Sequence, residues 1–174
     1  MNKLLISAGA VAALAFTSVP AAAAPVSATA NAKAKIFKPL TLAQVSGADL
    51  DFATIVLGTF SGTSNVVVAQ DGSKTSCGTG LTCSGTTAAA KFTAKGTSNA
   101  ALTITLPSST VLLSDGVSAD PKLTVTLDAP TTANLGSDGP NTGVTFGVGG
   151  TLGVPSGTID GFYSGTFTVN ADYQ

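Results

Sequence analysis

Every second residue near the end of the chain is small or apolar. The odd-numbered positions there hold Gly161, Tyr163, Gly165, Phe167, Val169, Ala171 and Tyr173. The even-numbered positions from 164 to 172 hold only Ser, Thr, Asn and Asp. A period of two is typical of a β-strand with one face buried and the other face in water. We therefore predict a strand over 161–174 whose apolar face lines a groove.

The region from 24 to 37 alternates in the same way. Its polar positions include Lys33 and Lys35, and its small or apolar positions are Val26, Ala28, Ala30, Ala32, Ala34 and Ile36. A helix is the competing interpretation, because alanine is the best helix former. However, lysines at 33 and 35 with apolar residues at 34 and 36 would spread around a helix. The pattern predicts a long extended arm, which Pro39 separates from a second short strand in 38–45.

Short alternating or apolar stretches between these two ends predict further strands. They cover 50–56, 65–70, 88–94, 102–106, 111–113, 123–127 and 144–148, with 152–154 after a break at Gly149 and Gly150. Turn residues separate them, and we expect 128–143 to be a polar loop. Eight or nine short strands without an amphipathic helix predict an all-β fold. The expected architecture is an immunoglobulin-like antiparallel β-sandwich with Greek-key connections.

The first residues have the features of an export signal. Lys3 precedes an uncharged apolar run from Leu4 to Val19, Pro20 ends that run, and four alanines follow. The run is short for a membrane span and is followed by small residues, so it predicts a cleaved secretory signal over 1–23. The arm over 24–37 and one domain over 38–174 follow it. We expect the mature chain to be exported and to contain no membrane span.

Charged residues are unusually rare. They make up 10% of the chain, the net charge is −1, and the chain contains no Arg, Glu, His or Trp. Nothing in this charge balance indicates a nucleic-acid or anionic-membrane partner. A free monomer usually relies on surface charge for its solubility, whereas a subunit buried in a polymer needs less.

The two cysteines, Cys77 and Cys83, are close together in the sequence. In an exported chain such a pair predicts a disulfide, whose small loop contributes on the order of 2 kcal/mol. A zinc site is the weaker alternative, because zinc needs about four ligands and the chain has no His and no other Cys.

The residues needed for common enzymatic mechanisms are missing. A Ser–His–Asp site needs a histidine, and a cysteine nucleophile needs a base and a free thiol. Most of the aspartates, including Asp71, Asp115, Asp128 and Asp138, fall in turns, where Asp bonds locally. Asp49 and Asp51 could form part of a calcium site, although two solvated carboxylates are the simpler interpretation. We predict no enzymatic activity, no cofactor and no metal.

The arm, the motif Leu-Asp-Phe-Ala-Thr-Ile at 50–55 and the last fourteen residues together resemble the pilin subunits of the chaperone–usher pathway. More closely, the chain resembles a pilin-like family of unknown function in Gram-negative bacteria, related to archaic pilins and spore-coat U-type domains. The resemblance covers essentially the whole mature chain. Gly161 and Tyr173 occupy the positions of a glycine and a penultimate aromatic residue near the end of such pilins.

The resemblance implies an incomplete sandwich that a donor strand completes. Gly161, Tyr163, Gly165, Phe167, Val169 and Tyr173 would then form the acceptor groove and chaperone-binding face. A periplasmic chaperone would fill this groove first. The arm of another copy or of a related pilin, with its Val26–Ile36 face, would replace the chaperone at an outer-membrane usher. The implied function is a surface pilus or fimbria subunit with an adhesion or biofilm role. The chain departs from such pilins in two respects. Its donor residues are small, and its disulfide is confined to one loop.

A second function from another class remains open. The chain could be a self-contained exported β-sandwich that binds carbohydrate or a surface partner, with 24–37 completing its own sheet. A strand that pairs with its own sheet needs a turn into its neighbour. Pro39 is the only break near the arm, and no Gly or Asn beside it favours a tight turn.

Overall fold

The computed structural model describes residues 24–117 and 122–174, which contain twelve β-strands and no helix. The predicted signal over 1–23 lies outside the described residues. Residues 36–174 form one compact unit. The strands are β1 (Thr41–Gln44), β2 (Thr54–Leu57), β3 (Thr63–Val68), β4 (Lys74–Cys77), β5 (Leu81–Ser84), β6 (Ala90–Lys95), β7 (Ala101–Thr105), β8 (Thr110–Leu113), β9 (Leu123–Asp128), β10 (Thr132–Asn134), β11 (Val144–Pro155) and β12 (Asn170–Tyr173).

Strand β11 is the centre of the largest sheet, in which all pairs are antiparallel. Its first part, 144–148, pairs with β6, and β1 extends the sheet beyond β6. Its second part lies between two strands, because 150–155 pairs with β3 and 149–153 pairs with β9. Strand β4 extends the sheet beyond β3, and β8 extends it beyond β9.

Two smaller sheets complete the fold. Strand β7 lies between β10 and β12 in a three-stranded sheet, and β2 pairs with β5 in a two-stranded sheet. In the three-stranded sheet, Asn170 lies opposite Thr105 and Tyr173 lies opposite Leu102. Strand β12 is therefore an edge strand, since β7 is its only strand partner among the described residues.

The core forms where the apolar faces of these strands meet. Along β9, the apolar residues Leu123, Val125 and Leu127 are buried and the threonines between them are exposed. The largest fully buried side chains are Leu102, Leu135, Val66, Val68, Val125, Val148 and Val154, which come from several strands and one loop. The structure thus confirms the predicted all-β antiparallel sandwich.

The predicted break at Gly149 and Gly150 is wrong, since β11 runs without interruption through both residues. These glycines permit close approach of the chain instead. A Cβ atom at Gly149 would collide with the carbonyl oxygen of Val68, and one at Gly147 with that of Gln70. Glycine is therefore required here for packing against the end of β3, not for a turn.

Three short strands lie in regions predicted to be loops. Cys77 lies in β4 and Cys83 lies in β5, and the structure confirms the predicted disulfide between them. The disulfide joins the two-stranded sheet to the largest one, because β5 pairs with β2 and β4 pairs with β3. Strand β10 lies inside the predicted polar loop and is followed by Leu135, which is buried. Their sequences lack a clear alternation of apolar and polar residues. These segments form strands because each pairs with a neighbouring strand.

The strand predicted over 50–56 is shorter than expected and begins at Thr54. Ala53 has a φ of 58°, in the left-handed region that an extended strand cannot adopt. Asp51 accepts a hydrogen bond from the Ala53 N–H at 2.7 Å and forms an isolated bridge with Ala88. A local Asp turn therefore replaces the first part of the predicted strand.

The two predicted strands at the ends of the chain are also not formed in full. Residues 24–40 contain no strand, and in the terminal segment only Asn170–Tyr173 is assigned as one. A strand needs a neighbour for its backbone N–H and C=O groups, and alternation alone does not provide one. The sequence pattern thus describes which side chains face inward but not which backbone groups are paired.

Candidate strand-acceptor groove

The terminal segment, residues 161–174, keeps a period of two in its burial although most of it is not strand. Tyr163, Phe167, Ala171 and Tyr173 are half-buried, and Val169 is buried with 8% of its surface exposed. The even-numbered residues between them are exposed. The aromatic and aliphatic residues of the predicted inward face are therefore buried or half-buried, whereas its two glycines, Gly161 and Gly165, are exposed.

The beginning of the terminal segment lies against the end of β8. The backbones of Ser164 and Ser114 exchange two hydrogen bonds of 2.9 Å. A Cβ atom at Gly165 would lie 2.7 Å from the carbonyl oxygen of Leu112, so a larger residue cannot fit without a shift. At Gly161 a Cβ atom would lie 3.6 Å from the Cβ of Asp115, an ordinary contact. Gly165 is thus required for a close backbone approach.

The middle of the terminal segment packs through its side chains alone. Phe167 contacts Phe92 of β6 edge to face, with ring centroids 6.2 Å apart. Phe92 also stacks on Phe146 of β11 at 6.0 Å. Residues 165–169 form no backbone–backbone hydrogen bond with any other residue of the described part of the chain. This stretch is held in place by apolar contacts while its backbone groups remain open.

The backbone hydrogen bonds around β12 show which edge of the terminal segment is free. Gln174 N–H donates to the Ala101 carbonyl oxygen at 3.1 Å, and the register places Asp172 opposite Thr103. Even-numbered residues thus direct their backbone groups to β7, as Ser164 does to β8. In an extended chain, consecutive residues direct these groups to opposite edges. Within β12, the odd-numbered residues Ala171 and Tyr173 therefore present theirs to the other edge.

A surface groove of about 460 Å³ lies beside β12. One wall is formed by Ala171, Asp172 and Tyr173, and the other by Phe37, Lys38, Pro39, Leu40 and Leu42, which lead into β1. The groove lies between two sheets, because β12 belongs to the three-stranded sheet and β1 to the largest one. Of the six residues predicted to form the acceptor groove, only Tyr173 lines it.

Tyr173 connects the two walls of this groove. Its ring stacks on Phe37 with centroids 4.4 Å apart. Its hydroxyl donates to the Lys38 carbonyl oxygen at 2.7 Å and accepts from the Thr97 N–H at 2.8 Å. The Lys38 N–H donates in turn to the Thr97 Oγ1 at 2.6 Å. Sequence analysis missed Phe37 and Thr97, and only the short strand predicted in 38–45 pointed to this wall.

The arm itself, described over 24–35, is exposed along its length and contains no strand. Val26 is fully exposed, and Ile36, the first residue of the compact unit, is 87% exposed. Both belong to the face that the sequence predicts to be buried in a partner.

Two carboxylates mark the beginning of the terminal segment. Partial burial, and then the negative charges of Asp115 and Asp160, raise the pKa of the Tyr163 hydroxyl. This hydroxyl donates to the Ile159 carbonyl oxygen at 3.0 Å. The exposed Phe162 lies on the same part of the chain, with 86% of its surface in water. An acidic end therefore precedes the apolar face.

The aspartates considered for calcium make local hydrogen bonds. Asp49 accepts from the Gln44 amide at 2.7 Å, and Asp51 accepts from Ala53. Among residues 24–117 and 122–174, no group of three or more side chains is placed to hold a metal ion. The same ranges include no helix with the length and apolar character needed to cross a bilayer.

Comparison with known proteins gives a family for this fold. Residues 40–173 match a family described as a domain of unknown function, DUF4402, and cover well over half of the 174 residues. The chain belongs to the DUF4402 family. No curated protein and no solved structure matches it significantly. The DUF4402 range contains all twelve strands and the terminal segment through Tyr173, while the arm and Phe37 precede it.

Proposed function

We propose that this DUF4402 domain is a structural subunit of a surface pilus or fimbria, joined to the next subunit by donor-strand exchange. The observation that carries the proposal is the free edge of the terminal segment. Its backbone is open over 165–169, its inward side chains other than Val169 are only partly covered, and a groove follows it at β12. A donor strand would satisfy both the backbone and the apolar face.

The arm has the properties of such a donor. It alternates over 24–36, which is the same length as the acceptor stretch 161–173. Burial of Val26 and Ile36 would each contribute roughly 1.5–3 kcal/mol, because both side chains are largely in water before assembly. The alanines between them add less apolar area, but they fit beside Tyr163 and Phe167, which already occupy much of the space.

The cellular part of the proposal rests on the resemblance to the pilins of the chaperone–usher pathway. An open strand edge is an aggregation hazard during export, so a periplasmic chaperone that supplies a temporary strand would protect it. An outer-membrane usher would then exchange this strand for the arm of another copy or of a related subunit. The role at the cell surface is adhesion or biofilm formation.

A test of the donor face uses two arm variants with equal charge. Ala30→Asp with Ala32→Asp places carboxylates on the face that enters the groove, whereas Thr29→Asp with Asn31→Asp places them on the opposite face. The mass of the exported protein collected from the cell surface is measured by light scattering after gel filtration. We expect the first variant to remain monomeric and the second to assemble like the wild type. Equal assembly of both variants would refute the proposal.

The acceptor face has its own test. Phe167→Ser removes the ring that packs on Phe92 in the middle of the terminal segment. We expect this variant to lose assembly and capture by the chaperone, whereas Thr168→Ser on the exposed face retains both. Normal fibres from Phe167→Ser would contradict the acceptor assignment.

A second candidate is a carbohydrate-binding module, and a second cleft favours it. This cleft of about 540 Å³ is lined by Phe60, Asn65 and the hydroxyls of Thr59, Ser61, Thr63 and Ser76, with no charged side chain. An aromatic ring beside neutral hydroxyl and amide groups suits a neutral sugar. Glycan-array binding that is lost in Phe60→Ala and kept in Phe37→Ala would support this candidate. Absence of binding by both the wild type and its assembled form would exclude it.

A further inference from the structure

Two rows of side chains cross the outer face of the largest sheet. In an antiparallel sheet, directly paired residues place their side chains on the same face. The pairings of β8, β9, β11, β3 and β4 define a first row, which consists of Thr110, Thr126, Thr151, Val67 and Ser76. Two residues along each strand, they define a second row, which consists of Leu112, Thr124, Gly153 and Asn65. The residues between the rows, Val125, Leu152 and Val66, are buried, so both rows lie on the side away from the core.

The threonine hydroxyls of these rows are available to a ligand. Thr110, Thr124 and Thr126 are exposed, and Thr151 is half-buried. Within the part of the chain that the structure describes, none of these four hydroxyls makes a hydrogen bond with another residue. Elsewhere on the same sheet, by contrast, two threonine hydroxyls of β6 and β11 bond to each other at 2.8 Å. The rows thus present donors and acceptors that the fold itself does not use.

Both rows end at the cleft of about 540 Å³ beside Phe60. Ser76 ends the first row and Asn65 ends the second, and both residues line this cleft. The Gly78 N–H donates to the Asn65 carbonyl oxygen at 2.9 Å, which joins the loop after β4 to this end of the sheet. Among the described residues, the side-chain amide of Asn65 has no hydrogen-bond partner. The cleft and the two rows therefore form one continuous surface.

The chemistry of this surface favours a neutral sugar polymer over other macromolecules. Neither row contains the lysines or arginines that a nucleic acid or an acidic polysaccharide requires. Neither contains Trp, Tyr or Arg, the residues that contribute most to binding between proteins. Hydroxyls, one side-chain amide and the aliphatic Val67 and Leu112 match the hydroxyl and C–H groups of sugar rings.

The length of the rows indicates a chain of sugars rather than a single sugar. The first row crosses five strands, which span four spacings of about 4.8 Å, or roughly 19 Å. An extended polysaccharide advances per sugar unit by about the distance between neighbouring strands, so roughly four units fit along a row. The ring of Phe60 lies at one end of this path, where a sugar can stack on it.

We infer that the outer face of the largest sheet and the cleft beside Phe60 together bind an extended neutral polysaccharide. This inference rests on the second candidate function, carbohydrate binding, and gives it a ligand class. None of the row residues lines the groove at Tyr173, so a bound polysaccharide and a donor strand use different surfaces.

Removal of hydroxyls tests the rows. The exported chain is analysed by affinity electrophoresis in gels that contain a neutral glucan, mannan, galactan or xylan, with polygalacturonate as the acidic comparison. Thr124→Val with Thr126→Val keeps the branched shape of both residues and removes both hydroxyls. We expect retardation by at least one neutral polymer, and about tenfold weaker binding in this variant. Thr105→Val with Thr132→Val changes two exposed threonines of the three-stranded sheet and should bind like the wild type.

Sugar chain length tests the extent of the surface in the wild-type protein. Oligosaccharides of increasing length from the retarding polymer serve as competitors in the same gels. We expect inhibition to strengthen up to about four units, because each added unit reaches a further strand. Inhibition that is already complete with a single sugar would overturn the extended surface.

The outcomes separate this inference from the function on which it rests. Binding that is lost in Phe60→Ala but unchanged in Thr124→Val with Thr126→Val would confine the ligand to the cleft, overturning the inference and leaving carbohydrate binding in place. Equal retardation by polygalacturonate would overturn the neutral ligand class. A lower mass of the threonine variant in light scattering without polysaccharide would assign the face to a second copy of the chain and overturn the inference. No retardation by any polymer would overturn both the inference and the carbohydrate-binding candidate.

Discussion

Tyr173→Phe is the sharpest test of how the groove walls are held together. The substitution keeps the ring that stacks on Phe37 and removes the hydroxyl. Two hydrogen bonds are lost, one to the Lys38 carbonyl at 2.7 Å and one from the Thr97 N–H at 2.8 Å. At about 0.5–1.5 kcal/mol for each bond, we expect the free energy of unfolding to fall by about 2 kcal/mol. For a domain of this size the melting temperature should fall by roughly 4–8 °C.

Tyr163→Phe is the matched control, since these are the two tyrosines of the chain. Its hydroxyl makes one exposed hydrogen bond, to the Ile159 carbonyl at 3.0 Å. We expect a loss below about 1 kcal/mol. Urea unfolding monitored by circular dichroism measures both variants, and hydrogen exchange should show faster exchange at the Thr97 N–H in Tyr173→Phe alone. Equal stability of the two variants would refute the assignment of Tyr173 as the connection between the walls.

Three further changes test other features of the fold. Gly165→Ala should cost about 1–3 kcal/mol, because its Cβ would lie 2.7 Å from a β8 carbonyl, whereas Gly157→Ala, with open space around it, should be neutral in the same unfolding assay. Replacing Cys77 and Cys83 by serine should cost about 2 kcal/mol and speed hydrogen exchange in β5; unchanged exchange there would contradict the role of the disulfide. Hydrogen bonds from Thr142 and Asn141 lower the pKa of Asp138. The contribution of Asp138 to the free energy of unfolding is therefore present at neutral pH and is lost as the pH falls below about 3.8. Asp138→Asn should flatten the acid limb of a curve of stability against pH, and an unchanged curve would contradict this.

The inward faces of the strands could be predicted because period two depends only on side-chain polarity. In β9 the three apolar residues from Leu123 to Leu127 are buried as the alternation indicates. The terminal segment shows the same agreement at Phe167 and Val169. Its extent as a strand could not be predicted, because hydrogen bonding depends on whether a neighbouring strand is present.

The groove illustrates a second limit of sequence analysis. Alternation predicts that Tyr173 lies on the inward face, but its contact with Phe37 joins positions at opposite ends of the chain, and no local pattern encodes it. The glycines of β11 are similarly ambiguous in the sequence, where they indicate a break. Close approach of the backbone at Val68 and a turn both favour glycine, and only the fold distinguishes between them.

Relocating the arm is the most direct test of completion by a donor strand. Residues 24–36 are deleted and appended after Gln174 through a short flexible linker, so that the arm can fold back antiparallel along 161–173. We expect a stable monomer that no longer assembles and melts at a higher temperature than the wild-type monomer. A melting temperature equal to that of the chain with the arm simply deleted, with no gain from the appended segment, would contradict donor-strand completion.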